Sequence, residues 1–474
     1  MSFYILIQTR WNVEIRRNSM ARTGCYVCNF NGKEYVMNCI SSVLKQSEID
    51  EDFYLCLVDN ASTDDSVSCV QHTFRNKVDI IINPVNSGGA GGFNTALKDA
   101  VKKGFDYVIL LDNDIILAQD CIFNLISYID RHNDVGCIGA KIMMMDHPEY
   151  MQEFGVHLDF EHYCLRYDYR NEWDSGTEEV IESDCVASCA LIARVECLKK
   201  TKLFPEENFL YWDDLEFTYQ IKLAGYRVIS LASAVAYHKG KKKPGTNTVP
   251  GYYGMRNRVK FFAKYEKEEK LSYLCKNILE DCFAFFFGSA MKGFLASNSS
   301  RMFALDDFVH KHYGKIDPQK VFPMDEKEDS IWQIVKNEDI VYIEFPYEEK
   351  TFLMEAVGSL FRRFDEMNNI KQVLVLLESN RDVETAKVEL KKYYEKEVVF
   401  VTEISKKGYV FRPCSHFTKV SKDISPIIWF DKYLNCIKNH EDFKYIKAYP
   451  YLKDFFVNMH YEWLMQGILE ERKR

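Results

Sequence analysis

The sequence predicts an α/β protein. A mostly parallel sheet covered by helices on both faces is followed by a helical segment and a smaller C-terminal α/β domain. Three observations carry this expectation. Over roughly the first quarter of the chain, apolar runs such as "YLCLVD" and "YVILLD" alternate with helically spaced apolar residues, as strands buried on both faces require. Gly251 to Tyr313 reads as largely helical. Beyond the acidic stretch "PMDEKEDS" (Pro323 to Ser330) the strand and helix alternation restarts.

The elements follow in order. "GCYVCNF" (Gly24 to Phe30) is a strand, and Val36 to Gln46 is a helix because Cys39, Ile40, Val43 and Leu44 recur at helical spacing. "FYLCLVDN" is a strand closing on Asp59. "ASTDDS" after it is a turn and helix start, capped by Asp64 or Asp65 and running through Val70 to Phe74. "DIIIN" precedes "NSGGAGGFN" (Asn86 to Asn94), a glycine loop leading into a helix expected from about Gly92 to Lys103, and then comes "YVILLDNDI". Asn133 to His238 is less regular. It holds "VGCIGAKIM", "CALIAR", a helix bearing Leu215, Tyr219, Ile221 and Leu223 closed by Gly225, and the strand "YRVISL". Past the acidic linker, "DIVYIEF", "QVLVLLE" and "EVVFVTEI" are strands. Phe352, Ala356, Val357, Leu360 and Phe364 mark one intervening helix and Ala386 to Lys396 another, before aromatic-rich terminal helices.

The expected domains are therefore 24–250, 251–325 (helical) and 330–474 (accessory α/β), after an extension over residues 1–23. In that extension Arg16 and Arg17 stand just before Met20. The bases AGGAGG read in frame encode Arg-Arg, so a bacterial ribosome-binding site translated as coding sequence, with a start at Met20, is the expectation.

Composition narrows the function classes. At 474 residues the chain has room for two or three domains, and 47% hydrophobic with 28% charged residues suits a soluble enzyme. A net charge of −9 argues against a nucleic-acid partner, since any polyanion must meet a local basic cluster. The fifteen cysteines are scattered, and Cys25 and Cys28 form a lone CxxC within a strand. They read as structural thiols in a reducing cytoplasm, with no signal peptide recognisable. No span reaches the about 18 uncharged apolar residues of a membrane helix. The closest, "CFAFFFGSAMKGFLA" (Cys282 to Ala296), carries Lys292. It reads as a core helix, with docking at the inner face of a membrane as the sharper alternative.

Three constellations carry chemistry. The first is the glycine block with Gly88, Gly89, Gly91 and Gly92. It is an incomplete dinucleotide fingerprint, because Asn94 stands in the third glycine's place and a full βαβ unit precedes it. It remains open between a phosphate loop and a tight turn. The second is "LLDND". Asp112 and Asp114 lie two apart, so in extended chain both carboxylates face one spot at the strand's carboxyl end. They would make a hard-oxygen site for Mg²⁺ or Mn²⁺ beside a departing diphosphate, or else a polar strand end. The third is "WDDLEF" with "AYHKGKKK". Asp213, Asp214 and Glu216 open a helix, where the macrodipole favours acids. The aromatic "NFLYW" leads into them as a sugar-stacking wall would, and His238 offers an imidazole ligand.

Jointly these blocks resemble the inverting family 2 glycosyltransferases of the GT-A fold, a Rossmann-like mixed, mostly parallel sheet. The resemblance covers about Gly24 to Asn257 and rests on "VCNFNG", "VDNASTDDS", "NSGGAGGFN", "LLDND", "CALIAR", "LYWDDLEF", "LAGYRV", "AYH" and "YYGMRN" in family order. The glycine block with "WDDLEF" looks most like bacterial galactofuranosyltransferases and rhamnosyltransferases. The resemblance implies that Asn29, Phe30 and Asp59 hold the base, and that Asn86 and the glycines line the donor pyrophosphate and sugar. It further implies Asp112, Asp114 and His238 as metal ligands and Asp214 as general base, with Asp213 and Glu216 positioning it or the acceptor. Arg256 would meet phosphate.

The expected reaction is one inverting displacement from a UDP-galactofuranose or dTDP-rhamnose type donor, with Mn²⁺ or Mg²⁺, to a glycan or polyprenyl-linked acceptor in surface polysaccharide synthesis. Lys241 to Lys243 would help hold the leaving charge, and a homo-oligomer is allowed for. The block "VCNFNG" departs from the family in carrying Cys28 where many relatives have threonine or another small residue. The alternatives are a nucleotide-sugar pyrophosphorylase, which wants a richer glycine and basic loop after the first strand, and an inactive glycan-binding relative.

Overall fold

The computed structural model describes residues 22–47, 53–239, 247–292, 295–323, 335–347, 350–365, 367–394, 396–406, 408–413, 427–430, 436–437 and 442–474. The expected extension before Arg22, nearly all of the acidic linker and Lys241 to Lys243 lie outside them. Two compact units form, Met1–Met145 with Glu178–Lys239, and Asp146–Thr177 with Gly240–Arg474.

The first unit contains, in chain order, β1 (Thr23–Asn29), α1 (Val36–Leu44), β2 (Tyr54–Asp59), α2 (Ser66–Phe74), β3 (Asp79–Ile82) and α3 (Gly88–Lys103). It continues with β4 (Tyr107–Asp112), β5 (Ile115–Leu117), α4 (Cys121–Arg131) and β6 (Val135–Met144). The second unit takes the next three strands, β7 (Tyr150–Asp159), β8 (Cys164–Tyr169) and β9 (Glu172–Trp173). The chain then returns to the first unit for β10 (Val180–Ser183), β11 (Ala190–Arg194), α5 (Asp213–Leu223) and β12 (Arg227–His238).

The first unit's sheet runs β10-β12-β6-β11-β4-β1-β2-β3, with β5 beside β12. β4, β1, β2 and β3 are parallel, and β12 is parallel to β6. β11 runs antiparallel between β4 and β6. This is the mixed, mostly parallel α/β sheet that the sequence predicts. Alternate residues of each strand feed opposite layers. Val27, Ile109, Leu111 and Ile192 pack with Ile40 and Val43 of α1 and Leu125 of α4, whereas Tyr26, Val58 and Leu110 pack with Leu97 of α3 and Ile221 of α5.

Helix α3 begins at Gly88, four residues before the expected start. Low glycine helix propensity predicts a loop there, but close packing overrides it. A Cβ on Gly92 would stand 2.3 Å from Cys28 Sγ, and one on Gly91 2.0 Å from Ser87 Oγ.

In the second unit β7 and β8 form an antiparallel hairpin with β9 against β7. Helices α6 (Val249–Tyr265), α7 (Leu271–Lys292) and α8 (Leu295–Val309) follow. The last part holds β13 (Ile340–Glu344), α9 (Lys350–Asp365), β14 (Gln372–Leu376), α10 (Val383–Lys391) and β15 (Val399–Val401). It is completed by β16 (Tyr409–Pro413), β17 (Ile427–Phe430), β18 (Cys436–Ile437) and α11 (Asp442–Arg472). The second sheet runs β15-β14-β13-β16-β17-β18, parallel except for β18.

Three features of this unit differ from the sequence expectation. Residues 146–177 belong with the C-terminal elements rather than with 24–250, because Trp173 N donates to Lys392 O (2.7 Å) and Arg362 Nη1 to Asn171 O (3.2 Å). Helix α10 ends at Lys391 rather than Lys396, as Tyr393 and Tyr394 turn into the core. The terminal helices are a single helix of 31 residues that keeps Pro450 inside it.

Where it is described, the apolar stretch beginning at Cys282 packs on protein, with Cys282 and Phe287 buried. Phe283 packs on Tyr449 and Phe456 at ring separations of 5.3 and 5.5 Å. No helix of the described residues is long and apolar enough to cross a membrane.

Ile109 lies fully buried in the middle of β4. Ile109→Ala should lower the unfolding free energy by about 2–5 kcal/mol, read from urea denaturation of the full chain.

Candidate active site

The register of the first sheet sets Asn29 beside Asp59 and Cys28 beside Asp112 at the carboxyl ends of β1, β2 and β4. This is the edge where open parallel sheets collect ligands. Asn29 is fully buried. Its Nδ2 donates to Asp59 Oδ1 (2.9 Å), Ser66 Oγ (2.9 Å) and Ser62 Oγ (3.1 Å), and its Oδ1 accepts from Asn113 Nδ2 (2.8 Å). Asp59 Oδ2 takes Ser62 N (2.9 Å). Beside this interior network Phe30 is 45% exposed, an aromatic face open to solvent at the strand's end.

Strand β4 stops at Asp112, and Asn113 and Asp114 form a turn before β5. The two acids therefore converge through a turn, not through the alternation of an extended strand. The antiparallel pairing of β12 with β5 sets His238 opposite Ile115. His238 Nε2 then lies 3.2 Å from Asp114 Oδ1, and Lys239 N donates to Asp114 O (3.1 Å). One ligand atom each of Asp112, Asp114 and His238 falls within 4.8 Å of the others, the one group of this kind among the described residues. Two carboxylates and an imidazole, all partly exposed, are a donor set that fits a divalent cation.

The glycine block forms the first turn and a half of α3. Gly88 has a left-handed φ of 76°, and its Cα faces the Phe209 carbonyl so closely that a Cβ would stand 2.0 Å from that oxygen. Asn86 Oδ1 accepts Gly88 N (2.9 Å) and Asn60 Nδ2 (3.1 Å), while Asn60 Nδ2 also donates to Gly88 O (2.8 Å). A Cβ on Gly89 would sit 3.6 Å from Asp213 Oδ2, so this turn lies against the start of α5.

Asp213 and Asp214 occupy the first turn of α5, where the helix dipole favours negative charge. Asp214 Oδ1 accepts Leu215 N (2.8 Å) and Oδ2 accepts Ser188 N (3.3 Å). Burial raises the Asp214 carboxyl above the usual carboxylate range against the pull of those two N–H groups. Asp213 rises further, through burial and then through the charge of Asp214. Burial and the charge of Asp114 push Asp112 up to about 7, with His238 opposing and Asp214 adding to the rise. Of the aromatic stretch before these acids, Tyr211 is 40% exposed, whereas Phe209 and Trp212 are buried.

Residues 25–194 match the family model described as Glycosyl transferase family 2. The chain carries a family 2 glycosyl transferase domain. The poly(ribitol-phosphate) beta-N-acetylglucosaminyltransferase TarS of Staphylococcus aureus is 30% identical over 126 residues, covering 26% of this chain and 21% of TarS. The galactofuranosyltransferase GlfT2 of Mycolicibacterium smegmatis is 21% identical over 196 residues, covering 38% of this chain and 30% of GlfT2. The chain thus spans about a fifth of TarS and less than a third of GlfT2. Among solved structures, S. aureus TarS 1-349 in complex with UDP-GlcNAc is similar at 20% identity and a TM-score of 0.42, covering 61% of this chain and 81% of that one.

The matched segment includes Asn29, Asp59, the glycines, Asp112 and Asp114. Asp213, Asp214, Glu216 and His238 lie beyond its end. The fold brings those later residues to the same edge through α5 and β12. Glu216 is buried in the first turn of α5. Arg256 departs from the expectation of a phosphate contact. It is fully buried in the second unit, where Nη1 donates to Gly314 O (3.0 Å) and Tyr252 Oη (3.3 Å) and the guanidinium lies over the Tyr253 ring. Sequence reasoning missed Asn60 and Asn113, two buried or half-buried amides that lie inside the quoted blocks but mark no chemistry of their own.

Asn29→Ala leaves the buried Asp59 carboxylate without its strongest side-chain donor. It should cost about 1–3 kcal/mol of stability, measured by thermal or urea unfolding.

Proposed function

We propose that this protein is a metal-dependent, inverting glycosyltransferase that moves a sugar from a nucleoside-diphosphate sugar to a hydroxyl of a glycan or lipid-linked acceptor. The observation that carries this reading is the meeting, at one sheet edge, of the Asp112, Asp114 and His238 cluster with the acidic start of α5. The family 2 domain and the names of its relatives supply the class of chemistry.

Phe30 offers a stacking face for the base beside the Asn29 and Asp59 network. Asp112, Asp114 and His238 would hold a divalent cation, Mn²⁺ or Mg²⁺, whose Lewis acidity offsets the charge on the leaving diphosphate. Asp214 is the general base, and its raised carboxyl suits it to accept a proton. Asp214 takes the acceptor hydroxyl's proton as that oxygen bonds to the anomeric carbon. The bond from that carbon to the diphosphate oxygen breaks on the opposite face, the electron pair leaves with the nucleoside diphosphate, and the anomeric centre inverts. Asp213, buried beside Asp214, would with Glu216 position the base or the acceptor, and the exposed Tyr211 ring would offer a stacking face to an acceptor sugar. The reading extends to UDP- or dTDP-linked donors and to an acceptor used in surface polysaccharide synthesis.

With UDP- and dTDP-sugars screened by thermal shift in Mn²⁺ or Mg²⁺, one donor class should raise the melting temperature and be turned over. Asp214→Asn should cut transfer by about 10²- to 10⁴-fold while leaving cation-dependent nucleotide binding within about twofold. Near-normal turnover by that variant sinks the base assignment. Asp112→Ala should instead weaken Mn²⁺-dependent UDP binding by about tenfold or more, measured by calorimetry.

A further inference from the structure

Three of the four residues leading into Asp213 take a positive φ: Phe209 (67°), Tyr211 (62°) and Trp212 (64°). None is glycine, so the conformation persists only because its surroundings over-determine it. Helix α3 supplies that constraint at two points. Asn94, 2% exposed, donates Nδ2 to Phe204 O and Glu206 Oε1 (both 2.9 Å), and its Oδ1 accepts Phe204 N (2.9 Å). One side-chain amide thus satisfies both backbone groups of Phe204 as a neighbouring strand would. Farther along the segment, Gly88 seats the Phe209 carbonyl. A ring stack runs from Phe93 of α3 through Phe204 (5.4 Å) to Phe217 of α5 (4.3 Å), so the clamp reaches the helix that carries the acids.

We propose that Asn94 is a positioning residue for sugar transfer: its amide clamp on Phe204 anchors the positive-φ segment that aims Asp213 and Asp214 at the Asp112 corner. The inference rests on the glycosyltransferase reading above. It also accounts for asparagine at the end of the glycine run, since a glycine there has no side-chain carboxamide with which to hold Phe204. Asn94 forms no hydrogen bond to Asn29, Asp59 or the cation cluster, so its loss misaligns the base and leaves the donor's seat intact. A misplacement near 1 Å is enough to cost about a hundredfold in rate.

The test uses the full chain, with UDP plus Mn²⁺ as the binding probe and the best donor from the screen as substrate. Asn94→Ala should lower kcat by about 10- to 100-fold while the Kd for UDP with Mn²⁺ stays within about twofold. Asn94→Asp keeps the size but loses the donor and adds a charge beside Glu206, so its kcat should fall at least as far. Adding Glu206→Gln, which removes that repulsion, should restore several-fold, and this pair decides the matter if Asn94→Ala does not fold. Wild-type kcat in Asn94→Ala overturns the proposal. So does a parallel loss of kcat and UDP binding, or an Asn94→Asp defect that Glu206→Gln leaves unchanged. A wild type that binds UDP with Mn²⁺ yet transfers no sugar overturns the transferase reading and this role with it, before any variant is compared.

Discussion

The Asn29 carboxamide ties together the ends of three strands. One side-chain nitrogen reaches Asp59 on β2, Ser62 in the loop after it and Ser66 at the start of α2, while the oxygen takes the Asn113 amide from the turn after β4. All of these groups sit at the polar edge of an otherwise apolar sheet, where an unpaired amide or carboxylate would be costly. Satisfying them mutually sets the spacing of β1, β2 and the Asp112 turn, and every candidate ligand contact is measured from that edge. Gly32 belongs to the same arrangement, since a Cβ there would stand 1.9 Å from Asn113 Nδ2.

From that edge the site is assembled by close approach. The glycines of α3 serve contact with protein: with Cys28 below, with Ser87 alongside and with the Phe209 carbonyl opposite. Their smallness lets the segment before α5 approach the helix closely, so that a Cβ on Gly89 would lie 3.6 Å from Asp213 Oδ2. A run that resembles a phosphate cradle is thus also the seat for an acidic helix. The positive-φ residues before Asp213 are the local cost of that seating, and strain of this kind concentrates at functional sites.

The second unit shows a different use of charge. Asp307 is buried and accepts from Tyr252 Oη (2.6 Å) and Lys320 Nζ (2.6 Å), and these hydrogen bonds hold its carboxyl below the usual range despite burial. Tyr313 Oη donates to Glu471 (2.6 Å), and Lys311 Nζ to Gly467 O (2.7 Å), which fastens the end of α11 near α6 and α8. Arg256 completes this interior as a packed and hydrogen-bonded cation, so an arginine in a tyrosine-rich block reads as structure once its neighbours are known.

The sequence by itself determined the layering and most of the elements. Period and apolar continuity identify β1, β2, β4 and α1, and Asp64 with Asp65 mark the start of α2. It also marked Asp112, Asp114, Asp213, Asp214, Glu216 and His238 as candidates, because acids and an imidazole at strand ends and a helix start are visible as residue types, while the choice of Asp214 among the three acids came from the family resemblance. Other features were decided only by tertiary structure, each because it depends on a partner distant in sequence. Helix α3 starts at Gly88 because Cys28 and Phe209 close over the glycines. Asp112 and Asp114 converge through a turn that β12 completes from more than a hundred residues away. Residues 146–177 join the C-terminal elements through Trp173 and Asn171. Arg256 and Asn94 each depart from what their motifs suggest: a guanidinium buried among tyrosines packs and hydrogen-bonds in the interior, and an asparagine where a glycine was expected holds a backbone segment more than a hundred residues away.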